Sequence, residues 1–361
     1  MPPLLEDSVS PAKSTGKFTE DRRSMVTKIL LCVGTQTTTN FEVKEEEEEE
    51  EAIMATLTEL IQPGNVAVIT GASSGIGRAA AVTWAAAGMH VYLLDIDADD
   101  LTTATEMADA AAAAKSGSAT AITVDVADES AMKQVADQVF AAHETCHILF
   151  NNAGVGLGGG ALTDTATINK TMGVNFYGPI HGCLAFVPRM KEKGQAGIVV
   201  NTGSKQGFTA PPGNLVYNYS KAALKCYTEG LEHEFMKERT EGEGKLRAVL
   251  LVPGWVNSSI AFKAERTNKG PDFDADKVFF HEDKPHPGAW MPQQVINFLV
   301  QEVDKGRFYV ICPDNEVDRE TDNLRMTWTM QDVTQDRPPL SRWHPDYKEK
   351  FNDFLKANKT K

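Results

Sequence analysis

The stretch VAVITGASSGIGRAAA, residues 66–81, decides the fold. Val66, Val68 and Ile69 belong to a short apolar, β-branched run that reads as a buried parallel strand. Gly71, Gly75 and Gly77 follow it, and Ala79, Ala80 and Ala81 open a helix. A strand, a glycine turn and a helix N-terminus together make an anion site, because the first helical N–H groups lack partners and point at the ligand. Glycine lets the backbone approach a pyrophosphate where a Cβ would clash. The turn, with Ser73, Ser74 and Ile76 between its glycines, is the expected seat of a dinucleotide, although its TGxxxGxG spacing differs from GxGxxG.

Asp95 ends HVYLLD, which reads as the next strand. A carboxylate about 20 residues past the glycine turn is placed to accept hydrogen bonds from the adenosine ribose hydroxyls. That separation favours a cofactor role over a plain strand end. The carboxylate would repel a 2′-phosphate, and no basic residue follows it, the next being Ile96, Asp97, Ala98, Asp99 and Asp100. Ser74 is not basic either, so the expected cofactor is NAD(H) in preference to NADP(H).

Further apolar runs read as strands: HILFNNAG (147–154), GIVVNTGS (197–204) and LRAVLLVPG (246–254). In an open α/β sheet, ligands sit beyond the carboxyl ends of the strands. Gly71, Asp95, Asn151 to Gly154, Ser204, Pro253 and Gly254 all fall there, so one crevice can gather them. Downstream, YNYSK places Tyr217 four residues before Lys221, with Ser204 thirteen residues upstream of that tyrosine. On a helix over 217–239, positions i and i+4 share one face. A nearby ammonium favours phenolate, so the tyrosine pKa, ordinarily about 10, is expected to fall toward neutrality. Such a tyrosine can exchange a proton with a substrate oxygen.

Residues 63 to about 314 resemble the short-chain dehydrogenase/reductase family in its single-domain form. The matching pieces, in order, are TGASSGIG (70–77), Asp95, DV (125–126), NNAG (151–154), Asn175 in MGVNFYG, Ser204 in NTGSKQG, YNYSK (217–221) and PGWVNS (253–258). The resemblance implies Tyr217 as catalytic acid/base and Lys221 as its pKa-lowering partner, also touching the nicotinamide ribose. It implies that Ser204 hydrogen-bonds the substrate oxygen and that Asn175 holds a water in the proton relay. Asp125 and Val126 would line the adenine pocket, with Asn151, Asn152, Ala153 and Gly154 supporting the cofactor and the central strand. Pro253, Gly254, Val256 and Ser258 would border the nicotinamide. Gly203 stands where the family often has a second serine. The resemblance further implies a homodimer or homotetramer, a number the residues themselves leave open.

Two decoys stand near the pair. Tyr219 and Ser220 neighbour Lys221 but are out of phase with it on a helix. His143, His147, His181 and His233 are scattered, with no acid or cysteine at ligand spacing, and read as surface or structural residues rather than metal ligands.

Composition sets limits. The chain has 361 residues, 42% of them hydrophobic, ample for one doubly wound domain with appendages. Its five cysteines (32, 146, 183, 226 and 312) are an odd number with no CxxC, which points to a reducing compartment, the cytoplasm, and free thiols. A formal charge of −14 disfavours nucleic acid and anionic membranes as partners. No apolar run approaches the roughly 20 residues needed to span a bilayer.

The ends differ from the middle. Residues 1–54 close on seven consecutive glutamates, Glu45 to Glu51, whose repulsion is expected to keep a disordered acidic leader. Residues 55–314 are expected to form the Rossmann-type domain, and 315–361 a C-terminal extension. In that extension Tyr347, Phe351, Phe354 and Leu355 form one apolar helical stripe, to pack on its own domain or on a neighbouring subunit. The segment 256–290, punctuated by Pro271, Pro285, Pro287, Gly270 and Gly288, is the candidate substrate lid. Its Ile260, Phe262, Phe273, Phe279, Phe280 and Trp290 suggest an apolar pocket or ordinary packing.

The expected fold class is thus α/β, a doubly wound sheet of seven parallel strands at 65–70, 89–95, 119–125, 147–152, 197–203, 246–252 and 308–312. Crossover helices are expected at 76–87, 99–115, 128–142, 167–192 and 217–239, the fourth kinked or shortened by Pro179 and Pro188. The expected activity is hydride exchange between NAD(H) and a small alcohol or carbonyl compound, whose identity would be set by Leu157–Thr163, Phe208–Leu215 and the lid. A dinucleotide-binding sensor or scaffold without turnover is the alternative from another class, and an epimerase or dehydratase the alternative chemistry.

Overall fold

The computed structural model describes residues 54–272, 274 and 282–360. Among them, β1 (Val66–Thr70), β2 (His90–Asp95), β3 (Ser118–Thr123), β4 (Ile148–Asn151), β5 (Gly197–Thr202), β6 (Leu246–Val252) and β7 (Tyr309–Ile311) form one sheet. The order is β3-β2-β1-β4-β5-β6-β7 and every pairing is parallel. The strand order reverses between β1 and β4, which opens a crevice at their carboxyl ends. Six of the seven strands carry continuous apolar runs because helices cover both faces, whereas the edge strand β3, SATAIT, is largely exposed.

Those helices are α1 (Leu57–Leu60), α2 (Gly75–Ala86), α3 (Ala98–Ala112), α4 (Glu129–Ala142), α5 (Thr165–Met172), α6 (Gly178–Lys193), α7 (Gln206–Thr209), α8 (Leu215–Thr240), α9 (Ser259–Lys269), α10 (Pro292–Asp304), α11 (Arg319–Thr334) and α12 (Lys348–Asn358). Acid side chains start several of them: Asp97, Asp128, Asp164 and Asp318 each accept an amide from the first turn of α3, α4, α5 and α11. Alternation along β1 divides the core. Ala67 and Ile69 pack with Trp84, Phe150 and Leu299 on one side, Val66 and Val68 with Leu149, Phe186 and Phe235 on the other.

The fourth expected helix is interrupted. A π-helical turn, Gly173–Tyr177, separates α5 from α6, where Pro179 lies in the first turn and Pro188 inside. Pro179 has no N–H to give to an i−4 carbonyl, so the ladder must shift at this point. In the extension, Trp328 of α11 meets Phe351 and Phe354 of α12 at ring distances of 5.3 and 5.1 Å, and its indole N–H donates to Ser341 Oγ. Residues 1–53 of the expected leader, Phe273, Phe279 and Phe280 lie outside the described residues.

Candidate functional site

Beyond the carboxyl edge of the sheet lies a cavity of about 490 Å³. Its floor at the middle is the glycine turn, represented by Gly71, Ser74 and Ile76. Gly71 has φ +66°, and a Cβ there would lie 2.8 Å from Ala153 Cα. A Cβ on Gly77 would lie 2.2 Å from the Gly71 carbonyl oxygen, so the turn closes only with hydrogen at that position. Ser73, Gly75 and Gly77, also expected at the cofactor, are not part of the cavity wall and form the buried back of the turn. The Gly75 amide is taken by a carboxylate from a distant segment: it donates to Glu282 Oε1 at 2.9 Å, and Arg78 pairs with Glu282 Oε2 at 2.6 Å.

One end of the cavity is acidic and apolar, with Asp95, Ile96 and Asp97 beside Val124, Asp125 and Val126. Asp95 accepts the amides of Ser73 and Asp97, each at 3.1 Å, which fixes its carboxylate at the tip of β2. The wall between the ends is Asn152, Ala153 and Gly154. Asn152 works mainly as a brace: its amide donates to Thr70 Oγ1 at 2.9 Å, its Nδ2 to the Thr70 carbonyl at 3.1 Å, and Thr202 Oγ1 donates to its Oδ1 at 3.3 Å. It thereby ties the ends of β1, β4 and β5 together.

The other end gathers Ser204, Tyr217 and Lys221 with Pro253, Gly254, Val256 and Ser258. The Ser204 hydroxyl favours the ionised form of the Tyr217 phenol and accepts the Gln206 amide at 3.2 Å. Lys221 is buried, and its ammonium donates to the Thr202 carbonyl at 2.8 Å and lies 5.8 Å from the Tyr217 ring centroid. The expected lowering of the tyrosine pKa does not occur in this geometry. Burial pushes the Tyr217 phenol above its ordinary value, outweighing Ser204. Burial likewise lowers the Lys221 ammonium to about 8. The two pKa values therefore move apart, and the lysine titrates below the tyrosine.

Asn175, placed by the π turn, is fully buried behind this end. Its Oδ1 accepts the Val155 amide at 2.8 Å, and its Nδ2 donates to the Val155 carbonyl at 2.9 Å and to Ser220 Oγ at 3.1 Å. Ser220, set aside on phase alone, thus belongs to the supporting network, and donates in turn to the Tyr217 carbonyl at 2.8 Å. A Cβ on Gly154 would lie 3.5 Å from Asn175 Oδ1 and 3.7 Å from Lys221 Nζ, so the glycine keeps the space between them open.

Two supports could not be seen in local sequence. Lys205, the residue after Ser204, pairs with Asp314 beyond β7 and Asp322 of α11 at 3.2 and 2.5 Å. Lys263 of α9 lines the acidic end of the cavity. On the substrate side, Leu157 and Ile260 line the cavity as expected, but Phe208 packs against Tyr309, Trp290 packs against Phe298, and Leu162 is fully exposed. His147 and His181 have structural partners, the Val66 amide and the Val126 carbonyl.

The sheet order and the glycine turn at the carboxyl ends of the strands define a Rossmann-type fold, and residues 65–269 match the family model described as short chain dehydrogenase. This chain belongs to the short-chain dehydrogenase/reductase family. Among relatives, a Mycobacterium tuberculosis protein named as oxidoreductase SadH is 31% identical over 249 residues, 69% of this chain and 86% of its own length. The 1-deoxy-11-beta-hydroxypentalenate dehydrogenase of Streptomyces avermitilis is 35% identical over 55% of this chain and 70% of its own. A solved short-chain dehydrogenase/reductase from Burkholderia phymatum in complex with NAD is 29% identical, with TM-score 0.65, covering 77% of this chain and 96% of that one. A metagenomic short-chain oxidoreductase in complex with NADP is 27% identical, TM-score 0.53, over 70% and 98% of the two chains.

Proposed function

We propose that this protein interconverts a secondary alcohol and a ketone, or an alcohol and an aldehyde, using NAD(H) in preference to NADP(H). The observation that carries the reading is one cavity lined by Asp95 and the glycine turn toward one end and by Ser204, Tyr217 and Lys221 at the other. The residues fit an elongated dinucleotide: apolar walls at Val124 and Val126, glycine where the backbone must come close, and small residues at Gly254 and Ser258. When bound, the nicotinamide supplies the hydride chemistry.

The chain's own part is proton management and alignment. In the oxidative direction Tyr217 Oη takes the alcohol proton as the C–H bond gives up its electron pair. In the reductive direction it returns that proton to the carbonyl oxygen. Ser204 donates to the same oxygen while its charge changes, a stabilisation that matters most in the transition state. Lys221, whose Nζ lies 5.8 Å from the Tyr217 ring centroid, lowers the cost of a phenolate there, and with its own pKa near 8 it can exchange a proton near neutral pH.

The test is a panel of steroid, sugar, polyol, acyl-chain and aromatic alcohols, followed by reduced-nicotinamide absorbance. Tyr217→Phe should lower turnover of any active compound by about 10²–10⁴ with cofactor binding kept, as for a lost general acid/base. Near-normal turnover by Tyr217→Phe, or its loss in Tyr219→Phe instead, would refute the assignment.

A further inference from the structure

The acidic end of the cavity carries a cation that the sequence around Asp95 does not supply. Asp95 lines the cavity at the tip of β2, its carboxylate accepting the Ser73 amide, and Asp97 and Asp100 follow it at the start of α3. From the facing wall, α9 sends Lys263 across the gap. Its Nζ lies 3.2 Å from Asp97 Oδ2, 3.0 Å from Asp100 Oδ2 and 3.5 Å from Ser73 Oγ. Lys263 lines the same cavity as Asp95 and Asp97. Half-buried, it loses some hydration, yet the three carboxylates outweigh that loss and hold it protonated above the ordinary lysine range.

We propose that Lys263 is a specificity-determining residue for the cofactor: from α9 it offsets the carboxylates flanking Asp95 and presents a cation to whatever the adenosine 2′-oxygen carries. The inference rests on the dinucleotide reading of the cavity. Without Lys263 the corner would hold three carboxylates, Asp95, Asp97 and Asp100, against any phosphate. With it, Asp97 and Asp100 are occupied and Asp95 is the group that discriminates. Asp95 accepts from free ribose hydroxyls and repels a 2′-phosphate. Lys263 acts in the other direction: its ammonium, paired with Asp97 and Asp100, lowers the negative charge that a phosphate in this corner would meet. Cofactor choice is therefore a balance between a residue on β2 and a residue on α9, and a neutral side chain at position 95 is enough to tip it. At contact distance in a partly solvated corner, one unit charge changes the affinity for a phosphate by about tenfold or more.

The experiment titrates the full chain with NADH and NADPH, followed by nicotinamide fluorescence, and displaces each with 5′-ADP or 2′,5′-ADP. It compares wild type, Asp95→Asn, Lys263→Met and the double variant. Asp95→Asn should tighten NADPH by about tenfold, and the double variant should lose most of that gain. Lys263→Met alone should weaken NADPH further while moving NADH by less than about threefold, and Lys263→Arg in the Asp95→Asn background should keep the gain. The Lys263-dependent part should shrink as salt is raised. A double variant that binds NADPH as tightly as Asp95→Asn overturns the proposal while leaving the dinucleotide reading intact. Absence of NADH, NADPH and 5′-ADP binding by the folded wild type overturns both.

Discussion

Lys205→Met removes one charge from a place where two carboxylates depend on it. Lys205 Nζ lies 3.2 Å from Asp314 Oδ2 and 2.5 Å from Asp322 Oδ2, and the two aspartate side chains are only 5% and 3% exposed. Methionine keeps the apolar stem and loses the ammonium. Removing one partner of a buried pair costs about 3–5 kcal/mol, because the other charge stays desolvated and unpaired. Here part of that is offset. Asp314 also accepts the amides of Trp255, Glu316 and Val317, and Asp322 has Arg325 at 3.7 Å. The lower end of the range is therefore expected, a drop in melting temperature on the order of 10 °C for a domain of this size. The pH dependence has a definite sign. Burial raises the Asp322 pKa, against the lowering by Lys205, so the carboxyl takes up its proton in the native state before it does in the unfolded chain. The deficit of Lys205→Met should thus be greatest near pH 7 and shrink as pH falls through the raised pKa toward the ordinary carboxylate range. Thermal unfolding followed by circular dichroism at both pH values measures it, with Lys205→Arg as the variant that retains the charge. An unchanged melting temperature near neutrality, or a drop that does not vary with pH, would refute the argument.

Two further outcomes follow from the same geometry. Lys221 titrates near 8 in the native protein against 10.5 otherwise, so between those values the unfolded chain holds a proton that the native state has shed, and stability rises with pH across that window. Lys221→Met should accordingly melt above wild type near pH 7, by roughly 1–3 kcal/mol, lose that advantage above about pH 10, and turn over no substrate. Gly77→Ala should cost several kcal/mol and cofactor affinity, since its Cβ would lie 2.2 Å from the Gly71 carbonyl oxygen. Gly230→Ala, on α8 with nothing within 4 Å of the added carbon, should instead stabilise by about 0.5–1 kcal/mol, and chemical denaturation of both variants checks the contrast.

Sequence alone determined the parts whose physics is local. A β-branched run, a glycine turn and an alanine-rich helix start are read within residues 66–81, and β1 and α2 lie there. Tyr217 and Lys221 share a face because helical period is a property of neighbours along the chain, and the structure puts both at the cavity. Asp95 stands at the tip of β2 for the same kind of reason. What the tertiary structure decided concerns groups brought together from distant segments. The sign of the Tyr217 shift is one case, because burial by surrounding segments outweighs the influence of Ser204. The inward placement of Asn175 needed a π turn that no periodicity signals. Lys205 gains its importance from Asp314 and Asp322, and Lys263 from Asp97 and Asp100, all far away in sequence. Coulomb energy and desolvation depend on separation in space, and a lone lysine in a polar stretch does not reveal which carboxylates the fold will place beside it.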